Sequence, residues 1–443
     1  MRIIRTIAAL VLSTLSLCTF SQDFARLSER TINGSARYVG MAGAMTAIGG
    51  DPSAALDNPA AGALYQRMEV MASFGGTFDR TRQTGSDVVA KRNSFICPQM
   101  SLILDMPTYT LNSKGVQSHN FLFSYRRLHS YNRTIDAYGD GESSFGAMLA
   151  GMNLGIAYNQ GRYNTGHGLF LSERGYVDEY AFQWSMNIGH QWYVGLGLQI
   201  QSYLMASDGD FQEWFDDYTP EEKAFYNRNV TSLMLSGAGC TLSAGLIYRP
   251  LQWLRVGFGI NTPSLGTLNT YTSGTFSAQT DSIRYSYAPN LDVRGDNSFH
   301  MPLHTSTSVA FQIGAYGMVA LQYDYLQQKN EDAMHSLRIG AEVIPVMGFY
   351  LNAGYAYEST FKPATKLVPM VESFDRQDTY FQHPRRTQYV SVAAGYRGRY
   401  FIAQAAYQYR WQGLNLYAYE QATPYEIQAD THRIVVTIAW HQY

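Results

Sequence analysis

Four aromatic residues stand close together in an acidic stretch of the chain, with a spacing that suits contact with an apolar molecule. Phe211, Trp214, Phe215 and Tyr218 recur at three- and four-residue intervals, which predicts a short helix within the connection Met205–Asn229. The acidic residues around them are Asp208, Asp210, Glu213, Asp216 and Asp217. Aromatic rings exposed on such a loop suit capture of an apolar ligand. Packing of the same rings onto the rim of the protein is the alternative.

A second candidate group, Asn58, Pro59 and Gly62, ends a stretch made almost entirely of Gly, Ala, Met and short polar residues, Tyr38–Gly62. Small residues let a backbone pack tightly in a confined space, and glycine allows turns that other residues rarely adopt. Proline breaks any long helix here, and the Asn58 side chain can bond nearby backbone in a turn. The stretch predicts a compact plug with the remaining chain built around it. A poorly ordered leader before a soluble domain is the alternative.

Catalytic patterns are absent from the sequence. It contains no G-x-S-x-G, H-E-x-x-H or C-x-x-C motif. His300 and His304 are four residues apart but flank Pro302, so they do not share a helix face as a metal pair would. We therefore expect no enzyme activity, no metal site and no cofactor.

The composition favours a barrel with one face in lipid and one in water. Aromatic residues make up 14% of the 443 residues, charged residues only 15%, and mean hydropathy is −0.22. Such values suit transmembrane strands rather than membrane-spanning helices. Without Arg2 and Arg5 the chain has 31 basic and 35 acidic residues, a net charge of −4. This charge argues against a nucleic-acid partner.

The first residues, Met1–Ser21, have the pattern of a secretory signal. Two arginines precede the mostly apolar run Thr6–Phe20, and small residues at the cleavage positions leave Gln22 as the new terminus. Cys18 raises the alternative of a lipoprotein, although Leu17 before it is large for that signal. No other apolar run is long enough for a membrane-spanning helix.

From residue 69 onward the chain shows strand-like runs near the length that a tilted membrane strand needs. Fourteen are predicted, an even number as in single-chain bacterial barrels. They are Glu69–Phe78, Ser94–Leu104, Asn120–Leu128, Glu179–Ile188, Trp192–Leu204, Val230–Tyr248, Trp253–Asn261, Pro302–Ile313, Gly317–Leu326, Met334–Pro345, Phe349–Thr360, Thr387–Arg397, Tyr400–Trp411 and His432–His441.

Within these runs apolar and polar residues alternate. In the run Gly317–Leu326, Leu321 and Tyr323 fall on one face, and Gln322 and Asp324 on the other. We expect Tyr323 to face lipid and Gln322 to face the lumen.

The connections alternate between tight and long, which is typical of outer-membrane barrels. Tight ones include Gly189–Gln191, Val346–Gly348 and Gly398–Arg399. Long ones are His129–Asp178, Met205–Asn229, Thr262–Met301, Phe361–Arg386 and Gln412–Thr431.

Two further strand residues affect the interpretation of the wall. Cys97 and Cys240 fall on strands far apart in order, which favours isolated cysteines over a disulfide. Pro98 interrupts the second strand and removes a hydrogen-bond donor, so either a bulge or a kink that opens the wall is expected there.

Taken together, these features resemble the FadL/OmpP1/TodX family of outer-membrane transport proteins. The residues that carry the resemblance follow the predicted signal and lie in order along the mature chain. They are Asp57–Gly62 (DNPAAG), Gly245–Pro250 (GLIYRP), Leu254–Gly259 (LRVGFG), Leu337–Glu342 (LRIGAE) and Ala353–Tyr357 (AGYAY). The resemblance implies an all-β fold: a 14-stranded antiparallel transmembrane β-barrel with an N-terminal luminal plug, divided as signal 1–21, plug 22–68 and barrel 69–443.

The resemblance also implies a function and a location. Members of this family carry hydrophobic small molecules, such as long-chain fatty acids or aromatic compounds, across the outer membrane. They capture the ligand outside, pass it along the lumen and release it sideways through the wall. The expected partners are therefore a hydrophobic ligand and outer-membrane lipid, with the chain acting as a monomer. A protein-handling barrel of a secretion system, with the same architecture, is the competing hypothesis.

Overall fold

The computed structural model describes residues 26–108, 114–140, 163–216, 225–279, 284–287, 293–327, 333–360, 380–418 and 422–442. The predicted signal Met1–Ser21 and Tyr218 lie outside them. A single antiparallel sheet contains eighteen strands. They are β1 (Glu69–Gln83), β2 (Val89–Pro107), β3 (Val116–Ser130), β4 (Arg133–Gly139), β5 (Tyr163–Ile188), β6 (Trp192–Asp216), β7 (Phe225–Leu251), β8 (Leu254–Asn261), β9 (Leu265–Gln279), β10 (Arg284–Tyr287), β11 (Val293–Phe299), β12 (Leu303–Ile313), β13 (Gly317–Gln327), β14 (Met334–Val346), β15 (Phe349–Glu358), β16 (Phe381–Arg397), β17 (Phe401–Tyr417) and β18 (Tyr425–His441).

The sheet closes on itself, because β1 pairs with β2 on one side and with β18 on the other. Fourteen strands form the ring: β1–β3, β5–β8 and β12–β18. The other four pair with β5, β7 or one another and extend the wall away from the tight turns. The predicted 14-stranded antiparallel barrel is therefore confirmed.

Side chains alternate between the outside and the lumen as the sequence predicts. On β13, Leu321 and Tyr323 are 55% and 40% exposed, whereas Gln322 and Asp324 between them are fully buried. The side-chain amide of Gln322 accepts a hydrogen bond from the Thr46 backbone at 3.0 Å. The polar face therefore points inward, onto the N-terminal part of the chain.

The outer surface carries an apolar band between two sets of aromatic residues, the arrangement of a barrel in lipid. The band includes Leu196, Leu337, Val392 and Ile438, whose side chains are all at least half exposed. Aromatic residues at the tight-turn end are Trp192, Trp253, Tyr316, Phe349, Phe401 and Trp440. At the other end, Tyr323 and Tyr407 hydrogen-bond to histidines of the neighbouring strands. No helix within the described ranges is long and apolar enough to cross a membrane.

Several strands extend well beyond the predicted runs, by the most residues at the long-loop end. Strands β5, β6 and β7 have 26, 25 and 27 residues, and they take in much of the predicted connections His129–Asp178 and Met205–Asn229. The outer face of these extensions stands in water and carries polar residues such as Asp208 and Asp210, whereas the inner face still buries apolar residues such as Phe211. The apolar outer face that marks a membrane strand is therefore lost. At the tight-turn end, β2 runs to Pro107 and β3 begins at Val116, so these two strands also extend beyond the predicted runs.

Residues 26–65, which we call the luminal segment, lie inside the ring. Its regular elements are α1 (Ala36–Gly40), α2 (Pro52–Asp57) and a 3-10 helix (Pro59–Leu64). Ser35, Asp51 and Asn58 cap them by accepting backbone N–H groups. The two prolines occupy first helical positions, where the missing donor costs nothing.

Glycines on the strands let the luminal segment approach the wall closely. A Cβ atom at Gly195 of β6 would lie 2.4 Å from the carbonyl carbon of Pro59, and one at Gly354 of β15 would lie 2.5 Å from that of Met41. These strands are on different sides of the ring, so the segment is in contact with the wall in more than one direction.

Candidate functional site

Buried ion pairs join the luminal segment to the barrel wall. Arg126 on β3 contacts Asp57 at 3.1 Å and Glu179 on β5 at 3.0 Å, and all three side chains are almost fully buried. The Tyr38 hydroxyl donates to Asp57 at 2.5 Å. Burial alone would raise the pKa of the Asp57 carboxyl, but the nearby positive charges, Arg126 foremost, lower it well below its usual range. Asp57 is therefore a buried carboxylate at neutral pH.

A second set of pairs holds the opposite side of the segment. Arg338 on β14 contacts Asp324 at 2.9 Å and donates to the Tyr38 hydroxyl at 3.3 Å. Arg37 of α1 makes two bonds to Glu342, at 2.6 and 3.0 Å. The luminal segment is thus attached to β3 and to β14 by charges that water does not reach.

The predicted plug motif lies within these contacts. The Asn58 amide donates to the Thr46 carbonyl at 3.0 Å, and its oxygen accepts from the Ala60 backbone at 3.1 Å. The Gly62 carbonyl accepts from Asn120 of β3 at 2.8 Å. Asn58 and Pro59 therefore lie in a turn that contacts the wall.

The ring has a break between β2 and β3. The two strands pair only from Gln99–Arg126 to Pro107–Ser118, and the remaining part of β2, Val89 to Pro98, pairs with β1 alone. The register of β2 shifts around Cys97 and Pro98, so the proline lies in a bulge, as one of its two predicted outcomes. Both cysteines are free thiols.

The luminal segment occupies the edge of β3 that β2 leaves. Thr31 donates from its backbone and its hydroxyl to the Leu128 carbonyl, at 3.0 and 2.8 Å. The Asn33 amide donates to the Arg127 carbonyl at 2.9 Å. These contacts begin one residue beyond the last β2–β3 pair, so the segment supplies bonds that the neighbouring strand does not.

Strands β4 and β5 turn inward above this break. Thr81 and Gln83 of β1 hydrogen-bond to backbone atoms of β4, although β4 is not a ladder neighbour of β1. Inside the barrel at this level lie two apolar clusters. The first, cluster A, is Ile135, Ala137, Leu169, Leu171, Phe211, Tyr380, Leu414, Leu416, Ala418, Ala422, Tyr425 and Ile427. The second, cluster B, is Leu27, Leu128, Tyr131, Val177, Tyr203, Met205, Leu233, Leu235, Leu268 and Met301.

Below these clusters the luminal segment fills the lumen, and many of the wall residues that face it are polar. The inward residues there include Gln99, Gln183, Gln199, Gln322, Gln404 and Gln408, all buried. Several bond directly to the luminal segment; Gln183 and Gln199, for example, donate to the carbonyls of Ala55 and Leu56. Apolar contacts also occur there, where Ile32 and Met45 of the luminal segment belong to one buried cluster with wall residues such as Ile247. Cluster B differs in that it includes Leu128, at the break itself.

The predicted ligand-contacting aromatic residues are on a strand, so the expectation of a short helix is wrong. Phe211, Trp214 and Phe215 belong to β6, whose backbone pairs with β5 and β7 along this stretch. The period of two separates Phe211, buried in cluster A, from Trp214, which is 38% exposed on the other face. These two rings therefore cannot form the single stripe that the helical spacing suggested.

The residues around the break were not singled out from the sequence, except Pro98. No sequence motif marks the others, which are Thr31, Asn33, Arg126 and Leu128. Their contacts arise because β2 and β3 stop pairing, and their partners are distant in the sequence. The proline in a strand otherwise suited to the ring was the one available signal.

Comparison with known proteins shows the fold. No known family model matches the chain, and no curated protein matches its sequence. Solved structures do match: a FadL homologue from Pseudomonas aeruginosa has a TM-score of 0.60 at 12% identity, over 93% of this chain and 99% of that one. The toluene transporters TodX of P. putida and TbuX of Ralstonia pickettii each have a TM-score of 0.53, at 13% and 12% identity, with 93% of this chain and 99% of theirs covered. The chain thus has the fold of these FadL-type barrels over 93% of its length.

Proposed function

We propose that this chain is an outer-membrane channel for passive uptake of hydrophobic small molecules, such as long-chain fatty acids or aromatic compounds. The observation that carries the proposal is that cluster B, an apolar cluster inside the barrel, includes Leu128, which lies at the break in the wall above the filled lower lumen. The similar structures named as toluene transporters support small-molecule transport over the protein-handling hypothesis. Export to the outer membrane would depend on the predicted signal. A single chain closes the ring of strands, which suits a monomer.

The proposed route follows the apolar surface and then leaves sideways. An apolar molecule gains about 25 cal/mol for each Å² of its surface removed from water, so cluster B is a favourable path. The lower lumen offers buried amides and charges that would lose hydrogen bonds to such a molecule. The break between β2 and β3 leads from cluster B to the outer apolar band, where Phe95 is 76% exposed. Lateral release into the membrane is therefore the lower-energy exit.

In this proposal the luminal segment is both plug and latch. It fills the lower lumen, and Thr31 and Asn33 hold the free edge of β3. Release of those bonds would widen the break without disturbing any strand ladder. The capture role of Phe211, Trp214, Phe215 and Tyr218 remains part of the proposal, with the rings acting separately rather than as one stripe.

A reversible lock tests the latch. The variant Thr31→Cys/Leu128→Cys, with Cys97 and Cys240 replaced by serine, places thiols on two residues whose backbones are hydrogen-bonded, a separation that suits a disulfide. We expect oxidation to abolish uptake of labelled oleate and toluene in cells, and a reductant to restore it, because the segment can no longer leave β3.

The matched control locks a continuous part of the wall. Ser391→Cys/Gln408→Cys, on the paired strands β16 and β17, should leave uptake unchanged in either redox state. If the oxidised and reduced forms of the Thr31→Cys/Leu128→Cys variant take up the compounds equally, lateral release through this break is excluded. Absence of uptake by the unmodified protein, for every apolar compound tried, would remove the transport proposal itself.

A further inference from the structure

Three basic side chains stand together on the outer face of the wall, at the long-loop end. Arg80 and Arg82 are on β1, Lys91 is on β2, and all three are exposed. Thr77 and Thr81, in the other phase of β1, are buried, so the two arginines point away from the lumen. We call Arg80, Arg82 and Lys91 the basic patch.

The pairing of β1 with β2 brings these charges close to one another. Arg80 is directly opposite Lys91, and Arg82 is the diagonal neighbour of Lys91. Residues in these positions have Cβ atoms about 5 Å and about 7–8 Å apart, and like charges directly opposite each other destabilise a sheet. An anion bonded to both Arg80 and Lys91 would remove this repulsion.

The basic patch keeps donors available for such an anion. Within the described ranges, Arg80 and Lys91 form no ion pair. Arg82 donates to the amide oxygen of Gln428 on β18 at 3.1 Å, which leaves its charge without a carboxylate. The three side chains are therefore held near one another by the strands while their charges are not neutralised by direct partners.

The carboxylates around the basic patch do not cancel its charge. Glu426 and, across the break, Asp178 are each bound by an arginine outside the patch. Asp430, opposite Arg80 on β18, accepts from a tyrosine hydroxyl of β17 at 3.0 Å, and Asp87 lies in the turn that joins β1 to β2. Even with Asp430 and Asp87 counted in full, three positive charges face two negative ones.

The basic patch lies at the level of lipid head groups. His432, which bonds to Tyr407 of the outer aromatic set, is opposite Phe78 of β1. Aromatic belts mark the boundary between the hydrocarbon core and the head groups. Arg80 is two residues beyond Phe78, and so about 7 Å further from the centre of the membrane.

Below the basic patch the same face of the wall is apolar. Phe74, Phe78 and Phe95 are 40%, 42% and 76% exposed, and the ring centres of Phe74 and Phe95 are 6.5 Å apart. Positive charge above exposed aromatic rings matches a molecule with an anionic head and hydrocarbon chains beneath it. The long loops of such barrels face the cell exterior, so this molecule belongs to the outer leaflet.

From this combination we propose that the basic patch binds a phosphate group of a phosphorylated glycolipid in the outer leaflet, with the lipid chains on Phe74, Phe78 and Phe95. A phosphate monoester carries nearly two negative charges and three acceptor oxygens, so one group can bond to two basic side chains at once. The inference takes the outer-membrane location from the proposed function, and it does not depend on transport.

Titration of the full chain in detergent with lipid A, followed by native mass spectrometry, tests this site. The probes are lipid A with two phosphates and the same lipid without phosphate. Arg80→Gln should weaken binding of the phosphorylated lipid about fivefold, and Arg80→Gln/Lys91→Gln about thirtyfold, because each basic side chain near the surface contributes separately. Arg228→Gln is the matched control. This arginine is exposed at the same end but bound to Asp210 at 2.7 and 2.9 Å, so binding should not change.

The phosphate-free lipid separates recognition from damage to the protein. It should bind the unmodified chain and the double variant equally weakly, because the lost contacts are those to phosphate. An equal loss of both lipids in the double variant would overturn the proposal, as would no loss of either.

Two further probes identify the source of the phosphate. Phosphatidylglycerol, with one charge, should bind more weakly than lipid A, and excess inorganic phosphate should not displace lipid A, because it lacks the chains. Tighter binding of phosphatidylglycerol, or complete displacement by inorganic phosphate, would contradict a glycolipid site. Uptake is not measured, so failure here leaves the transport proposal standing, and failure of transport leaves this site standing.

Discussion

Two parts of the wall differ in how their backbone is satisfied. Between β17 and β18 the ladder is unbroken from Phe401 to Leu416, whereas between β2 and β3 it covers only Gln99 to Pro107. In lipid every backbone group must bond internally, which makes a continuous ladder the default. The break is tolerable because β3 turns inward and residues of the luminal segment take its carbonyls. An opening in a barrel therefore needs a substitute partner as well as a missing strand bond.

The largest expected effect comes from removing most of the luminal segment while keeping the residues that bond to β3. Deletion of residues 38–62 should leave a barrel that inserts, because the ladder from β12 to β18 requires nothing from the lumen. The emptied lumen should conduct small ions and polar solutes, since a ring of fourteen strands is wider than the eight-stranded barrels that side chains fill. Conductance in planar bilayers measures this.

The same deletion tests the other side of the comparison. Selective uptake of labelled oleate should be lost while non-selective leakage rises. A deletion variant that fails to insert would show that the continuous wall also relies on the luminal segment, and the two parts would then not differ as described.

Substitution of two arginines distinguishes an effect on the stability of the barrel from an effect on the opening at the break. Arg126 lies at the last β2–β3 pair and Arg338 lies on the continuous wall, and each holds buried carboxylates. Arg126→Met and Arg338→Met should each destabilise the folded barrel by about 3–5 kcal/mol, because each leaves a buried carboxylate unpaired. Urea unfolding in detergent at pH 7 measures both.

The sign of the pH dependence supports the choice of pH 7. The folded-state pKa of Asp57 is lowered, so its contribution to the stability of the folded barrel is present above the unfolded pKa, near 4, and is lost as pH falls through the folded value.

The two variants should differ in leakage of small ions and polar solutes. Arg126→Met should increase leakage at the break, and Arg338→Met should not. Equal leakage from both would mean that the break has no special role.

The contrast between these regions also explains what the sequence could predict. The ring follows from residues such as Leu321 and Gln322, because lipid outside and polar contacts inside impose a period of two. The outer face of the upper parts of β5–β7 stands in water, so it is no longer apolar, and the sequence pattern of a membrane strand disappears there. The break begins where the β2–β3 pairing ends, at Arg126. Pro98 was the only residue near it whose type suggested an irregular strand. The ion pairs are beyond sequence reasoning, since partners such as Arg37 and Glu342 are 305 residues apart.

The smallest expected effect concerns the aromatic residues on β6, where the comparison is between two faces of one strand. Phe211 packs in cluster A with Leu169 and Leu414, so Phe211→Ala should lower stability by about 3–5 kcal/mol through the cavity it leaves. Trp214 lies on the opposite face and is partly exposed, so its loss should cost little stability.

Ligand capture should respond to loss of the aromatic residues near the end of β6. The double variant Trp214→Ala/Phe215→Ala should weaken binding of oleate by about 1–3 kcal/mol, the range for a large apolar side chain taken from water. Phe211→Leu keeps an apolar side chain in cluster A and should weaken binding less than the double variant does. The measurement is equilibrium binding of labelled oleate to the protein in nanodiscs, with ion conductance as a check that the lumen stays closed. Unchanged affinity in the double variant would mean that these rings only pack the rim, and that capture begins deeper, on cluster A or cluster B.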